Sequence, residues 1–315
     1  MNSDIPEHYD FTTYLSAKKS VDERAFNRQV WQRLQARMEP GSRERPQRVV
    51  EAGCGIGALL ERMLDWELLE HADYLGLDAQ TDNIAAANRA VPDWAREHGW
   101  EVKTSPTGFE LEKAGRRVNV RFQAADVFDF IAARTEGETG FDLLAGHAFL
   151  DLLDIPAALP RLLGLLRPGG WFYFPITFDG LTVLEPLIDP QLDEAVLRAY
   201  HESMNERRSG GKSSGDSQAG RHLFLNLRDC GAKIEAAGSS DWVVFAREGA
   251  YRADEAYFLH FILHFFETSL SERAGLDGEA FKAWLAARHE QVRRGELVYI
   301  AHQLDFCGRM PHPAC

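Results

Sequence analysis

The sequence predicts an α/β fold, a parallel sheet with helices on both faces. Three observations carry this prediction. Short β-rich runs alternate with helical segments between residues 48 and 177. The runs are nearly continuous in apolar residues, as strands buried on both faces must be. The stretch VVEAGCGIG (Val49 to Gly57) then places three glycines at every second position between a β-branched run and a helical pattern. That is the form of a strand–turn–helix with a ligand close to its backbone.

Taken in order, residues 16–38 carry Val21, Phe26, Val30, Trp31 and Leu34 at roughly helical spacing, which predicts helical structure ahead of the sheet. Proline and glycine in MEPGSRERPQR end it. RVVEA (48–52) and DYLGLD (73–78) read as the first two strands. FELEKAGRRVNVRF (109–122) alternates about Gly115 and predicts a hairpin leading into the third strand, NVRFQAA (119–125). FDLLAG (141–146) is the fourth. A helix over 155–166, opened by Asp154 and Pro156 and closed by RPGG, precedes the fifth, WFYFPIT (171–177). NERRSGGKSSGDSQAG (205–220) has the composition of a mobile loop. Beyond it the pattern predicts a helix over 221–230, a strand in SDWVVFA (240–246), helices across 253–294 and a last strand in LVYIAHQLDF (297–306).

Composition excludes several classes. A chain of 315 residues buries enough surface to need no disulfide or metal staple. Its net charge of −13 argues against a general nucleic-acid or anionic-membrane binder and leaves room for a cationic or neutral small molecule. The four cysteines have no zinc-like or CxxC spacing, so no metal site is expected and the thiols read as reduced. MNSDIPEHYDF lacks the basic and apolar regions of a signal peptide. AYFLHFILHFF (Ala256 to Phe266) is too short to span a bilayer. A cytoplasmic protein is expected.

Gly53, Gly55 and Gly57 remove the Cβ atoms that would block a ligand. Asp78, ending the second strand, presents two acceptor oxygens that match the two hydroxyls of a ribose. Gly53, Gly55 and Ala58 equally fit the dinucleotide pattern G-x-G-x-x-G/A, so the loop alone leaves a nicotinamide-dependent oxidoreductase open.

Further residues separate the two. Glu51 gives EAGCGIG, AADVFDF places Asp126 after the third strand, and LLRPGGWFYF supplies a helix, turn and fifth strand. In this order the set resembles the class I S-adenosylmethionine-dependent methyltransferases over residues 48–177. The resemblance implies a Rossmann-like sheet of seven mostly parallel strands. Its last strand is antiparallel and inserted beside the fifth, with SDWVVFA and LVYIAHQLDF as strands six and seven. It further implies S-adenosylmethionine as cofactor. Gly53, Gly55 and Gly57 would line it, with Glu51 organising the loop, Asp78 on the ribose, and Asp126 with Val127 at the adenine. The expected organisation is a single domain, 1–315. Residues 1–40 form a helical cap, 48–177 the cofactor core, 178–295 substrate-side insertions and 296–308 the final strand.

For chemistry, His147 follows the fourth strand, and Asp151 would share its face if that segment were helical. The pair is the candidate base and its orienting carboxylate. Asp179, after the fifth strand, is a candidate for binding a cationic substrate group. Lys19 and Arg24 are candidates for the cofactor's carboxylate, against a plain solvated helix face. The expected partner is a small-molecule acceptor, and a non-catalytic cofactor-binding subunit is the remaining alternative.

Overall fold

The computed structural model describes residues 4–135, 138, 140–209, 212–273 and 275–312. Its elements run α1 (Phe11–Ala25), α2 (Arg28–Arg37), β1 (Gln47–Ala52), α3 (Ala58–Asp65), β2 (His71–Asp78), α4 (Thr81–Glu97), β3 (Glu101–Ser105), β4 (Gly108–Lys113), β5 (Arg116–Ala124), α5 (Val127–Ala133) and β6 (Phe141–Ala145). After a short 3-10 turn at Leu150–Leu152 come α6 (Ile155–Leu163), β7 (Leu166–Glu185), α7 (Pro190–Asn205), β8 (Arg208–Ser209), β9 (Lys212–Ser213), α8 (Ala219–Asp229), β10 (Lys233–Ser239), β11 (Trp242–Val244), α9 (Glu255–Leu270), α10 (Gly278–Arg293) and β12 (Val298–Arg309).

The main sheet has the order β10-β12-β7-β6-β1-β2-β5-β4-β3. Strands β5, β2, β1, β6 and β7 are parallel. β12 returns antiparallel between β7 and β10, the place expected for the last strand. The hairpin about Gly115 is β4–β5, and β3 extends it by one strand that the sequence did not announce.

The structure refines three expectations. Residues 16–38 are two helices. The Asn27 side chain accepts from the N–H groups of Gln29 and Val30, capping α2 and ending α1 before it. The strand on the far side of β12 is made in two pieces. SDWVVFA supplies only the second, β11, while the first is β10, whose lack of any buried residue and Lys, Glu and Gly content hid it. Within 205–220, the residues flanking 210 and 211 pair as β8 and β9, and 210 and 211 themselves lie outside the described residues. The neighbouring turn is held over the 3-10 segment. Ser214 Oγ donates to the Leu152 carbonyl, and the Asp216 N–H to that of Asp151.

Candidate active site

The loop after β1 turns through three left-handed glycines, Gly53, Gly55 and Gly57, at φ of 69°, 53° and 85°. Each has a different reason to lack a side chain. A Cβ on Gly53 would lie 2.4 Å from the Phe149 ring, and one on Gly57 would lie 2.5 Å from Val91. A Cβ on Gly55 would approach only Leu15, at 3.3 Å. Gly55 therefore keeps open a cavity of about 360 Å³ at the carboxyl ends of β1, β2, β5 and β6. Gly57, expected to line it, instead lets α3 pack closely on α4 and is not part of its wall.

Asp78 lines this cavity and braces the turn. Oδ2 accepts from the Gly55 N–H at 2.9 Å, and Oδ1 from the Gln80 N–H at 2.9 Å and the Asn83 amide at 3.1 Å. Three donors leave the carboxylate room for about one more strong bond. Asp126 and Val127 line the opposite wall. Asp126 also caps α5, accepting from the Phe128 N–H at 2.7 Å.

Helix α1 roofs the cavity with one stripe, Phe11, Leu15, Lys18 and Asp22. Asp22 is buried beside three side-chain nitrogens. Lys18 Nζ lies 2.9 Å from its Oδ2, His147 Nε2 lies 3.0 Å from the same oxygen, and Trp242 Nε1 donates to Oδ1 at 2.8 Å. Burial opposes ionisation of Asp22, but Lys18 and His147 outweigh it and hold the carboxyl down at about 2. Burial and then Lys18 push the His147 imidazole below its ordinary value, against Asp22. The backbone around His147 is strained: Ala148 and Ile176 adopt φ of 48° and 57°. A β-branched residue reaches that region only when its neighbours force it. Ile176 is held by its N–H to buried Asp305, at 2.8 Å, and the Ala148 N–H donates to the Pro175 carbonyl.

Several expected site residues stand elsewhere. Asp151 is not the partner of His147. The segment between them is no α-helix, and the imidazole turns to Asp22 on α1 instead. Asp179 is absent from the cavity wall. It accepts from the Arg221 N–H at 2.7 Å and Nε at 2.9 Å, binding α8 to the other face of the sheet. Lys19 pairs with Glu61 and Arg24 with Glu255. The signal for the real pair was present, since Tyr14, Lys18 and Asp22 recur every four residues on one helix face.

Glu51 lies behind the turn rather than in the cavity wall. It is fully buried, and the Tyr74 hydroxyl donates to it. Burial pushes its carboxyl up to about 8, with the Tyr74 bond opposing and the Asp78 charge adding. An acid whose folded pKa is raised stabilises the fold most below its unfolded value and loses that contribution as pH rises through the folded one. Between about pH 4.5 and 8 the slope approaches 1.4 kcal/mol per pH unit. Urea unfolding at a series of pH values should therefore show Glu51→Gln gaining on the wild type as pH rises. Parallel curves would mean that Glu51 is charged in its niche.

Among the described residues no cluster of three or more side chains is arranged to hold a metal, and no helix is long and apolar enough to cross a membrane. No protein-family model matches the chain, and no curated protein matches it. Solved structures do match over most of the chain. A putative methyltransferase from Bacillus halodurans is 11% identical, with 90% of this chain and 100% of that one covered, at a TM-score of 0.49. A SAM-dependent methyltransferase from Thiobacillus denitrificans, solved with S-adenosyl-L-homocysteine, is 16% identical over 96% of this chain and 98% of that one, at a TM-score of 0.43. The cyclase SpnF is 17% identical over 90% and 81%, at 0.41. In its glycine motif and the order of its central strands, the chain resembles the class I S-adenosylmethionine-dependent methyltransferases.

Proposed function

We propose that the protein is an S-adenosylmethionine-dependent methyltransferase acting on a small-molecule acceptor. The carrying observation is the charge of the cavity wall. Asp22, Asp78 and Asp126 face it with one ammonium, Lys18, which is already bound to Asp22. A cationic sulfonium suits such a wall. A dinucleotide would bring its diphosphate against three carboxylates with no free cation among the described residues of the wall to meet it. The residues also fit the shape of the cofactor: the opening at Gly55 admits its ribose, Asp78 retains an acceptor for a hydroxyl, and Val127 offers an apolar wall for the adenine.

When bound, S-adenosylmethionine supplies a methyl group already activated by its sulfonium. The chain's own task is to align the acceptor with that carbon and exclude water, which is worth roughly 7–11 kcal/mol in favourable cases. His147 adds a base. Its Nε2 lies 3.0 Å from the Asp22 carboxylate, and burial favours the neutral form that takes a proton. Asp22 acts through His147 and is a positioning residue.

Asp78→Ala should weaken adenosylhomocysteine binding about 10–100-fold, one charge-assisted bond together with loosening of the turn at Gly55 and Gln80. Calorimetry reads this directly. Unchanged affinity would remove Asp78 from the site, and binding of a nicotinamide dinucleotide in place of adenosylhomocysteine would overturn the assignment. Turnover by the purified chain alone separates an enzyme from a non-catalytic subunit.

A further inference from the structure

His147 and Asp22 stand on elements far apart in the chain, and one buried carboxylate joins the backbones that carry them. His147 is tied to β7 on both sides. The Gly146 N–H before it donates to the Tyr173 carbonyl at 3.1 Å, and the Ala148 N–H after it to the Pro175 carbonyl at 3.0 Å. Asp22 lies in the last turn of α1, where its carbonyl accepts from the Phe26 N–H at 3.0 Å. The Phe26 ring in turn lies 5.3 Å from the imidazole. Asp305, on β12, is 0% exposed. Its Oδ1 accepts from the Ile176 N–H at 2.8 Å, next to Pro175, and its Oδ2 accepts from the Asn27 N–H at 2.8 Å, next to Phe26.

The strand pairing explains why a side chain is needed there. Between Phe174 and Thr177, β7 places two residues, Pro175 and Ile176, opposite the single Asp305 of β12. Such a bulge leaves its extra residue outside the ladder and bends the strand. Pro175 has no N–H. Ile176 has one, is buried, and holds a left-handed φ of 57° that a β-branched residue adopts only under constraint. A buried N–H needs an acceptor, and one oxygen of Asp305 supplies it. The other oxygen takes the N–H at the junction of α1 and α2. A carboxylate only accepts, so it satisfies both N–H groups at once, whereas an amide of the same shape accepts on one side alone. The Asn27 side-chain nitrogen also donates to the Ser239 carbonyl at 2.9 Å, which fixes the junction to β10 as well.

We propose that Asp305 is a positioning residue for methyl transfer: by joining the backbone at Ile176 to the backbone at Asn27, it sets the distance between His147 and Asp22. This rests on the reading of His147 as the base of a methyltransferase. Asp305 stands outside the cavity wall, so its route to the chemistry runs through that pair. Without its two bonds the bulge of β7 and the end of α1 are free to part, and the 3.0 Å contact of Asp22 with the imidazole opens. The glycine turn and Asp78 follow β1 and β2 and keep their places.

The test is a double-substitution cycle read on the imidazole itself. In protein carrying isotope-labelled histidine and loaded with adenosylhomocysteine, an NMR titration follows the His147 resonance, identified by its absence from His147→Gln. Asp22→Asn should lower the His147 midpoint by about one pH unit or more, the usual reach of an opposite charge this close. In the Asp305→Asn background the same substitution should shift it by less than half as much, because the pair has already parted. Loss of the Asp305 charge alone would add to the effect of Asp22 and leave its size unchanged. Equal shifts in the two backgrounds, with adenosylhomocysteine still bound, therefore overturn the proposal and leave the methyltransferase reading standing. If Asp305→Asn does not bind adenosylhomocysteine, Asn27→Pro takes its place under the same criterion. The φ of −71° at Asn27 and the ψ of 126° at Phe26 suit proline, which deletes the N–H and keeps the Asp305 charge. If the wild type itself does not bind adenosylhomocysteine, the methyltransferase reading falls and the role of Asp305 in methyl transfer with it.

Discussion

His147→Gln is expected to slow single-turnover methyl transfer about 10²–10⁴-fold at saturating cofactor, the usual cost of losing a general base. Glutamine keeps much of the volume and a hydrogen bond to Asp22 but takes no proton near neutral pH. Because burial and Lys18 lower the His147 pKa, the wild-type rate should rise with pH through a midpoint below the ordinary histidine value near 6.5. The variant should lack that step. Asp22→Asn keeps the contact and removes its charge, so it should shift the midpoint further down while leaving adenosylhomocysteine affinity nearly intact. A His147→Gln rate close to wild type with the same pH profile would reduce the histidine to a wall of the cavity, with alignment alone carrying the reaction.

Asp193→Ala should destabilise the fold by about 3–5 kcal/mol, the cost of stranding a buried charge. Asp193 and Arg288 are 3% and 0% exposed and pair directly between α7 and α10. The same carboxylate accepts from Trp284 Nε1 at 2.6 Å and from the N–H groups of Ile188 and Asp189. Removing it leaves the guanidinium without its counter-charge, with only Pro186 and Gln291 accepting from it, and orphans an indole and two backbone donors at once. The double variant Asp193→Leu, Arg288→Met removes both charges and should recover much of the loss, since a buried ion pair often contributes little over apolar packing. Chemical denaturation of the three proteins measures this. A single variant within 1 kcal/mol of wild type would mean that water reaches Arg288 in its niche.

The parallel core was legible because its signals are local. A β-branched run, a glycine turn and a helical period are written within a few residues of one another, and Asp78 and Asp126 follow from strand ends. The cavity wall at the ends of β1, β2 and β5 was therefore readable in Gly53, Gly55, Asp78, Asp126 and Val127, while Gly57 and Glu51 stand outside it. The acceptor side was not. Asp151 was paired with His147 on the assumption of a helix, but the chain there makes only a 3-10 turn, and the carboxylate that meets the imidazole comes from α1, 125 positions earlier. Asp179 was placed on the rim because the fifth strand was expected to end at 177. In fact β7 continues to Glu185, and Asp179 turns to α8. Both errors concern contacts between segments far apart in sequence, which no local pattern encodes. The burial of Glu51 was likewise invisible, since a motif position says nothing about what closes over it.

The left-handed Ile176 has a further consequence. Near this point the pairing of β7 with β12 changes step, with shifts between Ala301 and Gln303 and between Leu304 and Phe306. The two strands thus form three ladders laid end to end, a short middle one of Gln303 and Leu304 on Phe178 and Thr177 between two longer ones. The ladder toward Trp171 belongs to the nucleotide half, and the ladder toward Glu185 carries the helices that wall the opposite side. A residue inserted or lost in the outer ladder can be absorbed at the break without inverting the side chains of the inner one. Such an arrangement lets the outer half change length while the half beside the glycine turn keeps its phase.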